Sequence, residues 1–138
     1  METRKPEQRY SASFRVIDAG SLHREITEVT GIEPTRCHLR GDPLFPESAS
    51  FREYNSDLWL LRSPISREEQ LAAHLDWLWA GLSPHQEYFK KLVAAGVKID
   101  IFCGFRSDSH TGRFTIQAEA LSIAYVLGIS FGVSVIIA

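Results

Sequence analysis

Asp108 and His110 are the side chains whose type and spacing best suit proton-transfer chemistry, in the polar run Arg106-Ser107-Asp108-Ser109-His110-Thr111-Gly112. A carboxylate two residues from an imidazole, beside Arg106, can orient it as a general base. The same residues also make an ordinary solvated turn, because Asp and Ser bond their own backbone there. No serine, cysteine or threonine is tied to the pair by a nucleophile motif. Metal chemistry finds less support. Cys37 and His38 are adjacent, so in a strand they point to opposite faces and cannot chelate one ion. His74 and His85 fall on different helical segments, and the chain holds no C-x-x-C pair, H-E-x-x-H, calcium loop or glycine-rich phosphate cradle. The residues thus imply no metal and no cofactor, and a small ligand-binding protein or enzyme using Arg106, Asp108 and His110 stands as the alternative reading.

The loop is positioned by the strand before it. Val97, Ile99, Ile101, Cys103 and Phe105 alternate with Lys98, Asp100, Phe102, Gly104 and Arg106, a period of two that buries one face and leaves the other wet. Residues 10–17 alternate likewise, with Tyr10, Ala12, Phe14 and Val16 on the apolar side. Residues 35–40 form a further strand, and residues 58–62 another, although Leu58, Leu60 and Leu61 leave the face of Trp59 undetermined. A short strand is expected at 113–116 and a last one at 129–138.

Helices fill the gaps. Ser21 is placed to cap a helix carrying Leu22, Ile26 and Val29, which Gly31 ends. Ser66 and Glu69 read as a capping box ahead of the stripe Leu71, Leu75, Leu78 and Leu82. Ser83, Pro84 and Gln86 restart or kink the helix, which runs to Gly96 with Phe89, Leu92 and Val93 inward. Residues 117–127 form a helix apolar nearly all round, closed by Gly128, and therefore buried on both sides. The long connection at 41–56 carries Phe45, Phe51 and Tyr54, which argue that it packs down.

The resulting fold class is α+β: a mixed, largely antiparallel sheet of five or six strands with helices mainly on one face. Its ferredoxin-like order is extended by a β-α-β unit. The 138 residues make one domain, with residues 1–9 a flexible N-terminus. Apolar residues at 44% and charged residues at 23% are those of a globular protein. A net charge of −2 without a basic block disfavours nucleic acid. Cys37 and Cys103 read as reduced thiols, and no apolar leader or span precedes them, so the expected compartment is the cytoplasm without a membrane partner.

Thr30-Gly31-Ile32-Glu33-Pro34-Thr35, Arg40-Gly41-Asp42-Pro43, Asp57-Leu58-Trp59-Leu60-Leu61 and the strand at 97–105, in that order and spacing, resemble the bacterial family called domain of unknown function 4279. The resemblance runs from about Tyr10 to the C-terminus. It implies a small cytoplasmic α+β protein with no assigned activity, so no catalytic residue is carried over. Many bacterial proteins of this size and architecture are immunity proteins that neutralise a toxin, an analogy at the level of fold.

With helices on one face, the other would show Arg15, Arg36, His38, Arg40, Asp100, Phe102 and Arg106, together with Trp59. Mixed charge with aromatics suits a protein partner or an acidic ligand, though it also describes any wetted sheet face. Trp77 lies off the leucine stripe of its helix, where it is either a partner hot spot or covered by the long loop. Trp59, Trp77, Asp100, Phe102 and Arg106 are therefore the binding candidates. The leading expectation is a non-enzymatic module that binds another protein or itself, including the immunity-type inhibitor.

Overall fold

Ala12, Phe14 and Val16 have no exposed surface, while Ser11, Ser13 and Arg15 between them point the other way. This alternation makes β1 (Gln8–Ile17) the central strand of a five-stranded sheet ordered β2-β3-β1-β4-β5. In the computed structural model, residues 7–44, 52–109 and 112–137 are described. β1 pairs antiparallel with β3 (Leu58–Arg62) on one side and, over ten residue pairs, with β4 (Lys98–Ser107) on the other. β2 (Arg36–His38) runs antiparallel outside β3, and β5 (Ser130–Ile137) runs parallel outside β4. The sheet is thus mixed and largely antiparallel, in an α+β fold.

Four helices cover one face: α1 (His23–Thr30), α2 (Leu71–Leu82), α3 (Gln86–Ala94) and α4 (Ser122–Leu127). Leu71, Leu75, Leu78 and Leu82 are buried, as their spacing requires, and a 3-10 turn over Ser83–His85 carries Pro84 between α2 and α3. Phe14 lies at the centre of the core, edge-on to Trp59 at 6.3 Å and to Phe89 at 5.0 Å. Gly31 and Gly128 both take the left-handed conformation that closes a helix.

Several local expectations give way to longer-range contacts. Ser21 does not cap α1: a 3-10 turn occupies Gly20–Leu22, and the Gly20 amide donates instead to the Asp57 carboxylate at 3.2 Å. A side chain on Gly20 would meet that carboxylate and Leu39 within 3 Å, so this approach requires glycine. Ser66 and Glu69 form a turn rather than a capping box, with the Glu69 amide on the Ser66 carbonyl at 3.0 Å. The segment is held beside β1, where the Tyr10 amide donates to the Arg67 carbonyl at 2.8 Å, and α2 starts only at Leu71.

Residues 113–116 make no strand, because Phe114 turns inward against Phe105 (4.9 Å) and Tyr10 (6.2 Å) to close the end of the core. The segment before β5 is a 3-10 turn over Ala118–Leu121 followed by α4, and it is not buried on both sides. Ile123 and Leu127 are buried, but Tyr125 is 89% exposed. Among residues 41–56, the described parts fold back on themselves through the bridge Pro43–Glu53, and Tyr54 stacks on His38 at 3.5 Å. Phe45 and Phe51 lie outside the described residues. No helix of the described residues is long and apolar enough to cross a membrane.

Phe14→Ala is expected to remove about 3–5 kcal/mol of stability, the usual cost of deleting a fully buried aromatic. Urea denaturation followed by circular dichroism checks this through a lowered midpoint at an unchanged slope.

Candidate functional site

Every second residue of the strands faces away from the helices, and the charges there are lopsided. The register places Arg9, Arg15, Arg36, Arg62, Lys98 and Arg106 on this open face, with Asp100 the sole carboxylate among its strand residues. Asp100 is already committed. It accepts from Arg15 Nε at 2.7 Å and from Nη2 at 2.6 Å, a two-pronged pair, and the Arg15 guanidinium lies 4.6 Å over the Phe102 ring. The carboxylate holds the Arg15 proton more tightly than usual. This pair commits the face's one strand carboxylate to Arg15, away from the cations at the other end.

At that other end lies a cavity of about 230 Å³. Ser11, Gly104 and Ser134, neighbours across β1, β4 and β5, form a floor of small residues. Arg9, Arg62, Arg67 and Arg106 surround it. Arg9 and Arg106 are directly opposed across the β1–β4 ladder, an arrangement of like charges that costs stability in a bare sheet. Arg9 has a 3.4 Å contact to Glu7, and Arg62 Nε donates to Ser13 Oγ at 3.4 Å. Arg62, Arg67 and Arg106 have no carboxylate partner among the described residues. A Cβ on Gly104 would come within 2.6 Å of Ser11 Oγ, so the depth of the floor depends on glycine.

Forked guanidinium donors around a shallow floor with two hydroxyls can take a carboxylate or phosphate group through charge-assisted hydrogen bonds. They offer neither a nucleophile backed by a base nor a proton donor near neutral pH. A second cavity, of about 420 Å³, sits by Gln8, Gln70, Phe114 and Gln117 and has Arg113 as its one charged lining residue, so it lacks such a concentration of charge.

The anticipated residues are divided by the sheet. Asp100, Phe102 and Arg106 share the open face, and Arg106 enters the cavity. Trp59 does not join them. It pairs with Val16 on the helix side, is fully buried, and donates its indole N–H to Thr27 Oγ1 at 3.2 Å. Trp77 is half-buried against the core in the helix layer, whereas Arg106 is on the open face of the sheet. Arg40 lies beyond the end of β2, its amide on Asp57 Oδ1 at 2.6 Å. Asp108 accepts from the Glu7 amide at 2.8 Å and so ties off the β1–β4 ladder; His110 lies outside the described residues. Arg9, Ser11, Arg62, Arg67 and Ser134 were not expected at a site; the only signal in sequence was the alternation that puts Arg9, Ser11 and Arg106 in phase.

Two nucleophile–imidazole contacts also escape sequence reasoning. Cys37 Sγ lies 3.2 Å from His23 Nδ1, with the Asp57 carboxylate close enough to act on the imidazole. Burial nevertheless raises the thiol pKa and lowers that of the imidazole, the reverse of what a thiolate–imidazolium pair needs. Ser63 Oγ and His74 Nδ1 are 3.0 Å apart, but both residues are buried. The described residues contain no cluster of His, Cys, Asp and Glu able to hold a metal ion.

A family model described as "Domain of unknown function (DUF4279)" matches residues 8–137. No curated protein and no solved structure matches the chain.

Burial pushes the Cys103 thiol up to about 12 and leaves it no exposed surface, whereas Cys37 sits on the short edge strand. A disulfide-exchange reagent should therefore modify Cys37 alone in the native protein, and both thiols after denaturation. Burial also holds His23, His38 and His74 below the ordinary imidazole range. The unfolded chain then binds protons first as pH falls, so this stability is complete above about 6.5 and declines below it. Urea midpoints measured at pH 7.5 and 5 should show the lower value at pH 5.

Proposed function

Since the chain belongs to the domain of unknown function 4279 family, whose description assigns no activity, we propose that it is a non-enzymatic binding module whose arginine-lined cavity takes a carboxylate of an acidic partner protein. The observation that carries this reading is the set of Arg62, Arg67 and Arg106 around one floor of small residues, none with a carboxylate partner among the described residues. The cavity is smaller than the 300–1,000 Å³ usual for sites that enclose a whole cofactor. Its size suits a protruding side chain. Phe102, 39% exposed beside it, supplies apolar surface that a protein segment would cover. An immunity-type inhibitor is the narrower form of this reading, in which the acidic partner is a toxin.

The probes are a glutamate-rich peptide and inorganic phosphate, each titrated into the 15N-labelled protein. The peptide should shift the amides of Ser11, Gly104 and Ser134, with affinity falling as salt rises. Arg62→Ala/Arg106→Ala should weaken it at least about tenfold, a loss of about 1.4 kcal/mol. Saturation by phosphate at lower concentration than by peptide would move the assignment to phosphorylated ligands. No shift with either probe would overturn it.

A further inference from the structure

The two edges of the sheet are built differently. β2 is three residues long and carries Arg36 and His38, the short charged kind of edge that resists pairing with other chains. β5 is eight residues long, Ser-Phe-Gly-Val-Ser-Val-Ile-Ile, with neither charge nor proline. Its register with β4 runs unbroken from Asp100–Ser130 to Ser107–Ile137, so no bulge twists it away. Among the described residues, no backbone hydrogen bond reaches its outer side. Val133, Val135 and Ile137 face the helix side of the sheet, but α4 packs against α2 and α3 and leaves them 38%, 55% and 53% exposed. Ile136, on the opposite face, is also 53% exposed. Tyr125 and Leu121, on the segment leading into β5, are also exposed.

We propose that β5 pairs antiparallel with β5 of a second copy, joining two five-stranded sheets into one of ten. The strand is its own complement. A two-fold axis at Val133 or Ser134 keeps faces matched, because paired residues then have numbers of the same parity. An axis at Ser134 sets Val133 against Val135 of the partner subunit and Phe131 against Ile137 of the partner subunit. A one-residue slip would set Ser134 against valine and is disfavoured. The absence of charge removes the repulsion that like charges would bring to such a pair, and it also removes any handle for a charged stranger. The axis is perpendicular to the sheet, so both open faces look the same way. Ser134 and Ile136 line the arginine cavity, so the two cavities stand beside the axis as a bivalent surface. The pairing itself does not depend on what the cavity binds.

Sedimentation equilibrium of the full chain, from micromolar to millimolar, tests this. The mass should rise from 15.6 kDa toward twice that value. Val133→Lys/Val135→Lys sets lysine against lysine with either axis and should raise the dissociation constant at least about tenfold with native circular dichroism. Amide hydrogen exchange on the unaltered protein gives an answer that does not require the variant to fold. Protection in β5 should rise with protein concentration. A monomer throughout, a dimer indifferent to the lysines, or protection independent of concentration would each overturn the proposal.

Discussion

The antiparallel ladder between β1 and β4 is the constraint on which the molecule rests. Its ten residue pairs set the phase of both strands, so Tyr10, Ala12, Phe14 and Val16 share a side with Phe105, Cys103, Ile101 and Ile99. Helices can then pack only on that side, where burying a fully apolar stripe offsets the entropy of ordering them. The same phase sends Arg9 and Arg106 together to the other side. The core and the cation cluster are two results of one register, and a slip of one residue would mix apolar and charged side chains on both faces.

What was legible in the sequence follows from the range of the interactions involved. The alternation at 97–105, the leucine stripe of α2 and the glycine closures at Gly31 and Gly128 depend on neighbours within a few positions, and the structure contains all of them. The Ser21 and Ser66 caps failed because partners far along the chain displaced them: Asp57 reaches Gly20, and Arg67 receives the Tyr10 amide. Trp59 was ambiguous because leucines flank it; pairing with Val16 decides its face. Half of the site was equally hidden. Arg62 ends β3, where the leucines blur the period, and reaches the site through the β1–β3 ladder; Arg67 lies beyond the strand with no periodic signal, and the docking of residues 63–67 along β1 brings it there.

The histidines show why composition is a poor guide to chemistry. Of the imidazoles at 23, 38 and 74, two touch a nucleophile, and all three have a buried ring nitrogen with no hydrogen-bond partner among the described residues. Burial drives each toward the neutral form. For Cys37 this opposes a thiolate–imidazolium pair, and for Ser63 the contact lies buried.

The gathering of cations on the strands has an effect at distances longer than any hydrogen bond. The chain is net negative, so the residues off the strands' open face carry the excess acid. Such an uneven distribution gives the molecule an electric moment, and an approaching acidic body turns it arginine-side first before the two touch. Orientation during diffusion, rather than tightness once bound, is what this asymmetry supplies, and dissolved salt would diminish it.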